Sequence, residues 1–278
     1  MNTADARHAT PVHPLLRTWI GAEVLFAVLA GRATFIDPAR AGLVDPAGFA
    51  WPIPVVAMAA ILGVVYAASL PAALWALTMK TWQELRVLAI PLAVFTTMMT
   101  VLTFVHWDKF NHGTNPFRLW MLSYVLPPFV FVWAYWRQQR DAAPVGEGIS
   151  HPFGAGTRAW LRANGWALVA AAILLWAAPA LLVDHAPFPL TPLTARSLAT
   201  VVLLIGCLQL WMALEGDWRR VRVASLLLIL VAVLLPLQLL RFRQGVDFEN
   251  LPLGFLLADS AVTAVLLLRP LAGERPRG

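Results

Sequence analysis

Residues 224–235 read Ala224-Ser-Leu-Leu-Leu-Ile-Leu-Val-Ala-Val-Leu-Leu235, an unbroken apolar run without a single charge. A strand that spans a membrane alternates apolar and polar residues over about ten positions, and this run does not alternate. It fits only a helix surrounded by apolar material. Seven more stretches of this kind follow one another along the chain. A bilayer core about 30 Å thick needs roughly 20 apolar residues per helix. On that criterion the predicted spans are Leu15–Phe35, Ile53–Met79, Leu85–His106, Leu119–Trp136, Gly165–Val183, Ala195–Leu214, Val221–Leu240 and Leu251–Leu268. The expected fold class is therefore an all-α integral membrane protein with eight transmembrane helices.

Composition agrees. The 278 residues are 59% hydrophobic and only 13% charged, whereas soluble domains carry about 25% charged residues. So little charge cannot cover a water-facing surface, which makes the lipid bilayer the expected surroundings. The net charge of +6 does not indicate nucleic acid, because the basic residues are scattered over loops and form no patch. Nineteen of the 21 basic residues are arginine, a bias with no functional weight of its own. The single cysteine, Cys207, lies inside an apolar run. It excludes an intramolecular disulfide and a cysteine-cluster metal site, and reads as a small apolar core residue. The first span contains Glu23 and is preceded by only Arg7 and Arg17. A signal peptide needs an uninterrupted apolar core, so a retained helix is expected; cleavage would leave seven spans.

Lys and Arg fall unevenly on the two sides of the predicted membrane. Loops on the N-terminal side carry 14 of them and those on the opposite side carry 7. Positive loops remain in the cytoplasm. Both termini are therefore expected there, in a multi-pass protein of a bacterial-type plasma membrane. The longest interior loop, Arg137–Arg162, is rich in Gly, Ala and Pro and reads as a linker. It divides the chain into an N-terminal four-helix half (1–136), a linker (137–163) and a C-terminal four-helix half (164–278). Its glycines are not followed by the Lys-Ser/Thr of a phosphate-binding loop.

The two halves share a register. Without gaps, Trp75, Trp82, Arg86 and Val87 fall on Trp211, Trp218, Arg222 and Val223. The outer loops Asp108-Lys-Phe-Asn111 and Asp247-Phe-Glu-Asn250 also correspond, each followed by a proline, Pro116 or Pro252. The first helix of each half begins Arg17-Thr-Trp19 or Arg158-Ala-Trp160. Tryptophan at interfaces and arginine at cytoplasmic ends can arise independently, but the ungapped spacing favours a tandem repeat. An even number of spans per half makes the two repeats parallel, with a natural site between them.

Two carboxylates lie within spans, Glu23 and Asp259. Each costs about 2.5–3.5 kcal/mol at a helix centre, so such residues face protein or a watery cavity. Asp259, roughly two turns into the last span beside Ser260, is the candidate ion or proton site. Glu23 reads instead as a packing residue that snorkels or meets a cytoplasmic arginine. Asp108, Asn111, Asp247 and Asn250 are candidates for a shallow outer vestibule, although Asp108 with Asn111 also fits a turn or cap. His106, Asp108 and His112 match no metal-ligand spacing, so no metal site is assigned. Only His106 and His185 lie near outer span ends as a haem pair would need, and no cofactor is assigned. Prolines at 71, 91, 127, 128, 179 and 236 interrupt spans, where freed carbonyls can line a site or the helix can simply kink. The spans contain no nucleophile elbow, no paired aspartates for magnesium and no His-Glu zinc helix. The expected function is a transporter or permease for a small solute or ion. The alternatives are a non-catalytic subunit or assembly factor with a membrane-protein partner, and an enzyme acting on a lipid-linked substrate.

Overall fold

The computed structural model describes residues 10–42 and 48–273, with side chains described up to 268. Of the basic residues used for orientation, Arg7, Arg275 and Arg277 lie outside the described residues, as does the side chain of Arg269. The described chain forms α1 (Pro14–Gly31), prolonged by a π turn over Arg32–Ile36, then α2 (Val56–Thr78) and α3 (Trp82–Val105). A helix broken into α4 (Asn115–Val125) and α5 (Pro127–Gln139) follows. The second half contains α6 (Ala155–Ala177), the short α7 (Ala180–His185), α8 (Pro192–Glu215), α9 (Arg222–Arg241) and α10 (Leu251–Gly273).

Counting α1 with its π turn and α4 with α5 as single units, eight helices are long and apolar enough to cross a membrane. Large apolar side chains face outward around them: Phe255 is 75% exposed, Phe129 72% and Trp166 65%. Such a belt is unfavourable in water and natural against lipid. The fifth span starts about ten residues before the expected Gly165, at Ala155. Its first turns carry Arg158, Arg162 and Asn164, polar residues that resemble loop but have partners or an interfacial position within the helix.

Prolines act in two ways. Pro71, Pro91 and Pro236 sit inside continuous helices. Pro127-Pro128 separates α4 from α5, and Pro179 lies just past the end of α6. Pro128 has no N–H to offer the Tyr124 carbonyl four residues earlier. The Thr100 hydroxyl donates to that carbonyl instead, at 2.6 Å. The π turn ending α1 has a steric cause. Gly63 of α2 lies so close to the Thr34 and Phe35 backbone that a Cβ would sit 2.5–2.7 Å away.

The core is a bundle of α2, α3, α8 and α9, each with half or more of its apolar window buried, against 17–28% for α1, α6 and α10. α2 packs on α9 and α3 packs on α8, while α1 flanks α2 and α6 flanks α8. Polar ties at the N-terminal end recur in the two halves. Trp82 N–H donates to Thr10 O at 2.8 Å, and Trp218 N–H to His151 O at 3.0 Å. Val12 N–H donates to Lys80 O at 3.3 Å, and Phe153 N–H to Gly216 O at 3.0 Å. Both pairs surround an antiparallel bridge, Pro11 with Thr81 and Pro152 with Asp217. Arg17 donates to Leu77 O and Met79 O at the end of α2, and Arg158 lies against Gly216 at the end of α8, where a Cβ would overlap its guanidinium. Gly216 has φ +63°, the left-handed conformation that glycine accepts without strain at a helix end.

Two arginines cross between the halves. Arg86, wholly buried, forms a bidentate pair with Glu215 at 2.5 and 2.7 Å and donates to Ala143 O of the linker. Arg222 pairs with Glu84 at 2.7 Å and touches Met79 Sδ at 3.9 Å. In the register of the two halves Met79 occupies the place of Glu215, so each arginine reaches the same position of the opposite half. Removing one member of a buried pair leaves a lone charge and costs about 3–5 kcal/mol. Arg86→Met is thus expected to lower the unfolding temperature strongly in a mild-detergent melt. Arg222→Met, whose pair is part-exposed, is expected to cost about 1 kcal/mol or less. The double change Arg86→Met with Glu215→Leu is expected to recover most of the single loss.

Candidate functional site

Small residues on one face of α2, among them Ala72, Ala73 and Ala76, leave space that larger side chains would fill. In the second half α6 and α8 meet through Gly165 and Gly206, where a Cβ on either would stand about 3 Å or less from the other's carbonyl oxygen. The same registers put Val24 and Leu70 at those places in α1 and α2. A cavity of about 140 Å³ in the first half is walled by α1 to α5 and closed by Val201 and Leu204 of α8 and Val223 and Leu227 of α9.

The wall is largely apolar, with one carboxyl group, Glu23. Glu23 is nine residues beyond the start of α1, about 14 Å along its axis and near mid-length. Trp19, one turn earlier, donates from Nε1 to Glu23 Oε1 at 3.1 Å. The Tyr66 and Tyr124 hydroxyls, buried on α2 and α4, share a hydrogen bond at 3.1 Å within electrostatic reach of Glu23. Phe26 stands edge-on to both rings, with centroids 5.6 and 5.7 Å away. Phe95 closes the set at 6.0 Å from Tyr124. Ser69 and Thr96 also line the space, and each donates its own proton to a carbonyl of its helix. Their oxygens offer lone pairs, and one phenol donates to the other, whose own proton stays a donor. Among the described residues no Lys, Arg or His belongs to the lining.

Glu23 thus differs from its expected role. It meets a tryptophan and a cavity, not a cytoplasmic arginine. Asp259 and Ser260 are half-buried on α10. Asp259 is hydrogen-bonded to Asn164, which donates to Gln209 Oε1 at 2.9 Å. Close by, Trp160 Nε1 donates to Thr263 at 3.1 Å. Asn164 takes the place of Glu23 in the register of the first helices. The register that sets Pro116 on Pro252 sets Ser123, a cavity residue, on Asp259. Each half therefore has a polar niche between its first and last helices, with the carboxyl on opposite members.

The outer-loop candidates are held within their own halves. Asn111 donates to Phe49 O at 3.1 Å. Asn250 donates to His185 O and accepts from Leu253 N–H, capping α10. Asp247 accepts from Glu249 N–H at 2.9 Å. Asp108 is exposed, and its contact with Lys109 holds its carboxyl below the ordinary range. These are cap and turn roles. His112 Nε2 contacts Trp107 O, and His185 Nδ1 contacts Leu181 O. Sequence reasoning missed Tyr66, Tyr124 and the Arg86–Glu215 pair, for which spacing offers no signal. It also missed that Pro11 and Pro152 extend the Arg17–Trp19 and Arg158–Trp160 correspondence at the same spacing, which the sequence does contain.

At the other end of the bundle, Arg196 joins the halves by donating to His106 Nε2 at 2.9 Å. Arg196 also donates to Trp176 O near the end of α6, and Arg241 donates to Phe35 O and Ile36 O at the end of α1. Trp176 and Phe35 share one register, so arginine caps both ends. Burial and then the Arg196 charge lower the proton affinity of His106 below its ordinary range. Asp217, at the N-terminal end, is raised by burial but held lower overall by N–H donors of His151, Ser150 and Arg219 and by Arg220. A histidine with lowered affinity in the fold stabilises it fully above the unfolded value of about 6.5 and loses that contribution as pH falls through the folded value. Wild-type melting temperature is expected to drop between pH 8 and pH 5, and His106→Gln to lose part of that drop. An identical pH profile in both proteins would contradict the Arg196–His106 tie.

Comparison of the chain with known protein families, with curated proteins and with solved structures gave no match.

Proposed function

We propose that the protein is a carrier for a small solute or ion, set in a bacterial-type plasma membrane with both termini cytoplasmic. Its two parallel four-helix halves are related by a pseudo-two-fold axis along the membrane normal. The observation that carries this reading is the half-depth cavity, walled mainly by one half, closed by helices of the other and containing the Glu23 carboxyl. A carboxyl group at that depth is costly unless it serves a ligand, an ion or a proton. The matched ties at Trp82 and Trp218 and the crossed reach of Arg86 and Arg222 support the repeat. The excess of basic residues on the N-terminal side supports the orientation.

In this reading the halves rock against each other along the α2–α9 and α3–α8 contacts. Access from the cytoplasm requires Arg86 to leave Glu215 and Arg222 to leave Glu84. Access from outside requires Arg196 to leave His106 and Arg241 to release the end of α1. With both sets made, the described conformation corresponds to a closed intermediate. Glu23 binds the cargo or a coupled proton, and Asp259 with Asn164 steadies the equivalent niche.

The test uses proteoliposomes loaded with a pH-reporting dye and challenged in turn with small amines, short carboxylic acids, sugars and monovalent cations. Wild-type protein is expected to give a saturable response to one class. Glu23→Gln is expected to reduce it at least tenfold with expression intact. Asp259→Asn, which keeps a partner for Asn164, is expected to weaken it by less. No saturable response to any class, together with a stoichiometric protein partner in native mass spectrometry, would replace the carrier with the subunit reading.

A further inference from the structure

We infer that the Glu23 cavity takes a small organic cation, an alkylammonium or quaternary ammonium group. The inference deepens the carrier reading and rests on it for the cavity's role, although binding can be tested without transport. Three observations converge. The first is charge. Among the described residues Glu23 is the one carboxyl in the lining, no basic side chain joins it, and its hydrogen bond comes from the neutral Trp19 ring. In its ionised form a group so placed attracts a cation and repels an anion.

The second is the polarity of the remaining groups. Ser69 and Thr96 spend their protons on helix carbonyls, and one of the Tyr66 and Tyr124 hydroxyls donates to the other, whose own proton stays a donor beside the Ser123 hydroxyl. The space therefore offers more oxygen lone pairs and ring faces than donors. An anion would need several donors. A cation needs none, and five aromatic rings, Phe26, Tyr66, Phe95, Tyr124 and Phe131, line the space that holds the carboxyl. Ring faces attract ammonium groups by about 2 kcal/mol or more where water is excluded.

The third is size. A cavity of about 140 Å³ is close to the roughly 150 Å³ apolar cavity that accommodates benzene. A trimethylammonium head with a short tail falls in this range, and sugars and nucleosides do not. In the second half Gly165 and Gly206 bring α6 and α8 into close backbone approach at the corresponding level.

The experiment compares choline with 3,3-dimethylbutan-1-ol, its uncharged carbon analogue, on the full chain in lipid nanodiscs. Binding is read by thermal shift and by calorimetric titration. Wild-type protein is expected to bind choline at least about tenfold more tightly than the alcohol. Glu23→Gln is expected to lose that preference while still melting cooperatively. Phe95→Leu, which keeps an apolar residue of similar bulk, is expected to weaken choline more than the alcohol and serves if Glu23→Gln does not fold. Equal affinity for the two compounds, no binding of either, or a choline preference that survives both substitutions would overturn the inference. Choline binding without flux in proteoliposomes would uphold the ligand class and remove the carrier reading. Flux of another class without choline binding would do the reverse.

Discussion

A guanidinium group withdrawn from water must have all its donors met, and the burial of Arg86 imposes that demand at the junction of three segments. Glu215 at the end of α8 supplies two acceptors, and Ala143 and Pro144 of the linker supply carbonyls. The pair therefore ties α3 to α8 and lays the linker over both. Such a pair gains little over apolar packing, but losing either partner is severe. Its value here is geometric. It fixes the rotation of α3 against α8, and the Arg222–Glu84 pair fixes α9 against the start of α3. With those contacts set, the four central helices have one register.

On that frame the two halves share a plan and differ in filling. Backbone ties before the first helix and after the second recur position by position, whereas the residues between the first two spans do not. Gly165 and Gly206 bring α6 and α8 together in one half, and the register puts Val24 and Leu70 at those places in the other. The carboxyl follows the same divergence. It sits on α1 in the first half as Glu23, and on α10 in the second half as Asp259, where Asn164 engages it.

The spans were legible because lipid leaves the backbone little choice: every N–H must be met within a helix, which demands long apolar runs. The matching Trp and Arg residues were legible because they flank short connections between helices, where sequence distance and spatial distance agree. The start of the fifth helix was not, since Arg158, Arg162 and Asn164 look like loop until Gly216 and Gln209 stand beside them. Nor was the role of Glu23. Its depth is set by position along α1, but its facing depends on the rotation of that helix against α2 and α4, which apolar periodicity on an all-apolar helix does not encode. Asp108 with Asn111 carried a visible turn or cap pattern; in the structure Asn111 ties its loop to Phe49 and Asn250 caps α10.

An electron cryo-microscopy map of the protein in a lipid nanodisc would show whether two equivalent halves meet through crossed arginine contacts beside the Glu23 cavity. The first four spans are expected to superpose on the last four with Arg86 on Arg222, Arg86 within hydrogen-bonding distance of Glu215, and open space beside Glu23. Halves that do not superpose, or an Arg86 side chain turned to solvent away from α8, would contradict this arrangement.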